Sequence, residues 1–149
     1  MSIFPTTVLL ATDGSKDAEL ATTTALDLAN STSSELHIVL VKEEAHAYVD
    51  ASGFPYLTDA ELDHELEQQA RMRLDEEVQK IRSAGGAVPQ AHLRVGAAAA
   101  EIVDLAEDIG AGLIVMGSRG LGGIRRALMG SVSDSVVRHA QCPVLVVRH

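Results

Sequence analysis

Leu113-Ile114-Val115-Met116-Gly117-Ser118-Arg119-Gly120-Leu121-Gly122-Gly123 is the stretch that decides the fold. Four apolar residues in a row leave no polar face, which suits a short strand covered on both sides of a parallel sheet. The four glycines that follow exceed what one turn requires. In an open α/β sheet, ligands sit beyond the carboxyl ends of the strands, where neighbouring connections diverge. A buried strand running into a glycine-rich loop predicts both the architecture and the place to look for a site.

Working outward, Thr7-Val8-Leu9-Leu10-Ala11, Leu36-His37-Ile38-Val39-Leu40-Val41 and Pro143-Val144-Leu145-Val146-Val147 have the same nearly continuous apolar character. Ala91-His92-Leu93-Arg94-Val95 alternates instead, as a more exposed edge strand does. Between these runs the apolar period becomes helical: Ala21, Ala25, Leu28 and Ala29; Leu62, Leu66, Ala70, Leu74, Val78 and Ile81; Ile102, Ala106 and Ile109; Val132, Val136 and Ala140. Five strands and four helices in strict alternation predict an α/β, doubly wound parallel sheet with right-handed crossovers. Ser15 after Asp13-Gly14 is expected to cap the first helix, and Thr58-x-x-Glu61 forms a capping box for the second. Gly85-Gly86 and Gly110 supply the positive φ that ends the second and third helices. Lys42 to Leu57 fits neither period and predicts a long loop lying near a ligand. With no repeats or linkers, residues 1–149 are expected to form one domain.

Composition sets the outer bounds. Only two Tyr, two Phe and no Trp leave aliphatic residues to build the core. Cys142 is the single cysteine, so no internal disulfide is possible, which points to a reducing compartment. No apolar run approaches the length of a membrane span, so a cytoplasmic protein is expected. A net charge of −9 argues against nucleic acid or an anionic membrane as partner of the whole molecule. Arg119, Arg125 and Arg126 are the local exception, with solvated surface charge as the plain reading of the last two.

The loops after strands carry the chemistry. Ala11-Thr12-Asp13-Gly14-Ser15 follows the first strand, and the glycine loop after the fourth continues to Gly130-Ser131-Val132-Ser133, where the last helix begins. Glycines let backbone approach a phosphate, and a helix start offers it free N–H groups and a positive dipole end. Ser131 and Ser133 add hydroxyl donors. Neither Gly-x-x-x-x-Gly-Lys-Ser/Thr nor Gly-x-Gly-x-x-Gly after the first strand is present, which disfavours a P-loop NTPase and an ordinary dinucleotide enzyme. His139-x-x-Cys142 lacks further ligands for a structural zinc, and no metal ligand is assigned.

Gly117-x2-Gly120-x9-Gly130-Ser131, with Val8 to Ser15 at the start and Pro143 to Val147 at the end, resembles the ATP-binding signature of the universal stress protein family. That resemblance implies a Rossmann-like five-stranded sheet in order 3-2-1-4-5 and ATP, accompanied by Mg, between the first and fourth strands, with AMP or another adenine nucleotide as the alternative to ATP. It implies Asp13 by the nucleoside with Ala11 and Thr12 beside it, and the main chain at Val41 on the adenine edge. Met116, Gly117, Arg119 and Gly120 then line ribose and phosphates, while Gly130, Ser131, Val132 and Ser133 hold the phosphate tail. A homodimer through Pro143, Val144, Leu145, Val146 and Val147 is implied as well. The function so implied is a nucleotide-dependent stress-response protein, with an unidentified protein partner and slow or no hydrolysis. An adenylate-forming or phosphotransfer enzyme and a module that binds no nucleotide are the alternatives. Plain readings stand beside these roles: Asp13 and Ser131 as helix caps, Gly117 and Gly120 as turn residues.

Overall fold

The computed structural model describes residues 1–43, 48–49, 51–53, 55–56, 60–86, 89–118 and 129–148. In chain order the elements are β1 (Thr7–Thr12), a 3-10 turn (Lys16–Ala18), α1 (Glu19–Thr32), β2 (Glu35–Lys42), β3 (Tyr48–Val49), β4 (Pro55–Tyr56), α2 (Ala60–Ala84), β5 (Gln90–Val95), α3 (Ala98–Ile109), β6 (Leu113–Gly117), α4 (Ser131–His139) and β7 (Val144–Val147). Five strands form one parallel sheet in the order β5-β2-β1-β6-β7, the predicted 3-2-1-4-5 arrangement. The alternating stretch around His92 is indeed an edge strand.

Strand geometry explains why the central runs are apolar along nearly their whole length. Successive side chains point to opposite faces, so Val8 and Leu10 of β1 join a core with α1 and α2. Leu9 and Ala11 join a second core with α3 and α4. Val8, Leu9 and Leu10 are fully buried. The connection leaving β1 packs on the first face and the connection leaving β6 on the second. These adjacent strands therefore part company at their carboxyl ends, and a crevice opens there.

Helix ends follow the glycines. Gly110 closes α3 at φ 66°, and Gly85 and Gly86 follow α2 at φ 84° and 93°. Other expectations need correction. Ser15 is not a side-chain cap: its hydroxyl makes no capping bond, and Asp13 Oδ1 instead accepts the Ser15 N–H at 2.9 Å. A single 3-10 turn then precedes α1, so the first helix starts later than the cap signal indicates. The long stretch after β2 contains a two-residue antiparallel ladder, Tyr48 opposite Tyr56 and Val49 opposite Pro55. Gly53, at φ 89°, lies in the turn between them. Thr58 and its capping box lie outside the described residues.

Candidate functional site

Beyond the carboxyl ends of β1, β2 and β6 lies a cleft of about 680 Å³, within the range of roughly 300–1,000 Å³ usual for small-molecule sites. Ala11, Thr12 and Asp13 enter it from β1 and the following loop, Val41 from β2, and Met116 and Gly117 from β6. Gly130, Ser131, Val132 and Ser133 enter it from the start of α4. Residues predicted from four separate stretches of sequence thus share one cleft. Arg119 and Gly120, with Arg125 and Arg126, lie outside the described residues.

The β1 loop is held by its own side chains. Thr12 Oγ1 accepts the Gly14 N–H at 3.1 Å, and Asp13 accepts the Ser15 N–H. Such short-range bonds fix a turn without any regular ladder. Gly14 has φ 76°, a backbone conformation that a side chain strains.

At the other wall the start of α4 is tied to the end of β6. Gly130 N–H donates to the Ser118 carbonyl at 2.6 Å. The Ser133 hydroxyl, 2% exposed as a residue, donates toward Ser118 O at 2.9 Å and Gly130 O at 3.1 Å. Its proton is spent inside the protein, so Ser133 braces the helix start instead of adding the hydroxyl donor expected from sequence. Ser131 is exposed at the first position of α4. The first intrahelical acceptor in use is Gly130 O, bonded by Asp134 N–H at 2.9 Å, and the amides of Ser131, Val132 and Ser133 precede it, with no acceptor inside the helix.

Neither Gly117 nor Gly130 is among the glycines with positive φ. Gly130 sits at φ −70°, ψ 164°, open to every residue type. Whatever these positions require of glycine, it is not the backbone angle.

Sequence reasoning did not assign the fourth wall. Leu66, Gln69, Ala70 and Arg73 of α2 line the cleft at helical spacing, as do Ala98 and Ile102 of α3, and Lys42 at the end of β2 and Glu43 after it also line the cleft. Leu66 and Ala70 carry the periodic signal, but in sequence they read only as core. Gln69 and Arg73 read only as the polar face. Lys42 Nζ donates to Asp63 O at 3.4 Å.

Two other sequence features find their places. Cys142 packs against the second core, and burial there raises its pKa. His139 Nδ1 lies 2.8 Å from the Ser135 carbonyl, and no group of three or more His, Cys, Asp or Glu fit for a metal occurs among the described residues.

Comparison with known proteins completes the description. The model of the universal stress protein family matches residues 5–148. A universal stress protein of Methanocaldococcus jannaschii is 34% identical over 144 residues, covering 95% of this chain and 81% of that protein. Among solved structures, hypothetical protein MJ0577 matches with a TM-score of 0.80 at 25% identity, over 99% of this chain and 98% of that one. The crystal structure of a universal stress protein in complex with cAMP matches with a TM-score of 0.68 at 27% identity, over 97% of this chain and 98% of that one.

Proposed function

Since the chain belongs to the universal stress protein family, we propose that its cleft binds an adenine nucleotide, ATP first, and that the bound state is read by a partner in a stress response. The observation that carries this reading is the start of α4. Three successive amides without intrahelical acceptors stand at a cleft wall, with Gly130 before them and Gly117 beside them. Amides and the positive end of the helix dipole suit an anion. Neither glycine has a backbone angle that demands glycine, and both line the cleft, where the lack of a side chain leaves room for a ligand to approach the backbone. A related protein crystallised with cAMP favours an adenine nucleotide as that ligand.

A magnesium ion fits as a companion of the phosphates. It needs only one or two carboxylates from a protein and takes its other ligands from phosphate and water. Asp13 and Glu43 line the cleft. Hydrolysis is slow or absent on this reading, because fast phosphoryl transfer requires a group that positions the attacking water. Asp13 and Glu43 are the carboxylates among the described cleft residues, and this reading gives them to the metal.

Equilibrium dialysis of the pure protein against ATP, AMP and cyclic AMP tests the reading. Gly130→Val and Gly117→Val should fold normally and lose nucleotide binding. Unchanged ATP affinity in either folded variant would refute the site. Absence of binding by the unaltered protein at millimolar ligand would refute the function. Steady ATP turnover at about 1 per second or faster would instead make the protein an enzyme.

We also propose a homodimer through β7, an edge strand on which Leu145 is exposed. An apolar edge left open invites uncontrolled pairing. Sedimentation as a monomer across micromolar concentrations would overturn the dimer.

A further inference from the structure

We propose that Arg73, on α2, is a ligand-binding residue of the cleft and contacts the phosphate chain of the nucleotide, an inference that rests on the nucleotide reading above. Leu66, Gln69, Ala70 and Arg73 fall at i, i+3, i+4 and i+7, so one stripe of α2 faces the cleft. The Arg73 stem crosses the β1 loop. A Cβ placed on Gly14 would meet Arg73 Cδ at 3.5 Å, Cβ at 3.6 Å and Cγ at 3.8 Å. Packing the methylenes there holds the stem beside the loop that carries Thr12 and Asp13 and limits the freedom lost when a ligand arrives.

Charge gives the stem its purpose. Arg71, Lys80, Arg94 and Arg138 each have a carboxylate partner. Arg73 forms no ion pair among the described residues, although α2 is rich in Glu and Asp. Of the two cations lining the described cleft, Lys42 already donates to Asp63 O, while Arg73, with five N–H donors, has no ion pair or hydrogen bond to another side chain among the described residues. Asp13 and Glu43 line the same cleft, and a magnesium ion held there would neutralise only part of the charge of a triphosphate. Uncharged amides on the α4 side leave the remainder for a cation to offset. A planar guanidinium, able to bond two phosphate oxygens at once, is suited to that place.

The test compares ATP, AMP and adenosine binding to the unaltered protein, Arg73→Gln and Arg73→Lys, by equilibrium dialysis at fixed salt. Arg73 is exposed, so both variants should fold, which thermal melts will check. Arg73→Gln is expected to weaken ATP about tenfold to a hundredfold, as loss of charge-assisted hydrogen bonds does, to weaken AMP less, and to leave adenosine within about twofold. Arg73→Lys should fall between. ATP affinity within twofold in folded Arg73→Gln overturns the proposal, and so does an equal loss for adenosine, which would make Arg73 only a wall. Failure of the unaltered protein to bind any nucleotide sinks the parent reading, an outcome distinct from both.

Discussion

Replacing Ser133 by alanine separates a brace from a ligand donor. The hydroxyl has one proton, shared between Ser118 O at 2.9 Å and Gly130 O at 3.1 Å, so it counts as one hydrogen bond. Its removal orphans neither acceptor. Ser118 O keeps the Gly130 N–H at 2.6 Å, and Gly130 O keeps the Asp134 N–H at 2.9 Å. The penalty for a stranded buried acceptor is thereby avoided, and the cost is that of a net bond, about 0.5–1.5 kcal/mol. For a chain of this size, 1 kcal/mol lowers Tm by about 2–4 °C. Urea titration and calorimetry measure it directly, with ATP dialysis of the same samples alongside. The expected pattern is a modest loss of stability together with a smaller loss of affinity, because the amides of the α4 start remain. Unchanged stability accompanied by a large loss of ATP binding would refute the reasoning, since it would place the hydroxyl on the ligand.

Gly110→Ala should cost about 1–2 kcal/mol from backbone strain alone, because φ is 66° and an added Cβ meets nothing within 4 Å. No change in a urea titration would contradict it. Ile114→Ala, at a fully buried position between β1 and β7, should lose about 2–5 kcal/mol. A loss under 1 kcal/mol would mean that the second core collapses around the gap. The pKa of His92 is lowered from 6.5, first by burial, then by His37 and Arg94. Above pH 6.5 the ring is neutral in both states, but as pH falls the unfolded chain takes the proton first. Stability should therefore decline from about pH 6.5 downward, and His92→Gln should flatten part of that slope. Parallel pH profiles for the two proteins would rule this out.

The sheet was legible because burial on both faces leaves a plain mark: β1, β2 and β6 are apolar along nearly their whole length, with His37 the one interruption inside a run. Gly110 and Gly85 were legible because positive φ nearly demands glycine. Ser33 ends α1 at φ 54° with none of that signal. Here the N–H of Ser34 bonds Ala29 O at 2.9 Å and its hydroxyl accepts the Thr6 N–H at 3.0 Å, so surrounding bonds hold a residue that the code does not announce. The β3–β4 ladder was missed because two residues are too few to show a period. The site divides in the same way. The β1, β6 and α4 walls carry glycine, Asp and Ser in telling places. The α2 wall is built from Gln69 and Arg73, which on any exposed helix would pass for solvent-facing residues.

The position of β1 has a consequence for biosynthesis. It is the middle strand, yet its two neighbours become available at very different moments: Val8 pairs with Leu36 soon after, but must wait for Leu113 on the other side. Until then a nascent polypeptide on the ribosome presents one flank of a strand destined for burial with no ladder to join. Long-range parallel pairing of this kind is slow and open to aggregation. Fragments cut before Leu113 should accordingly be sticky and poorly structured, with a sharp gain in solubility once β6 is included.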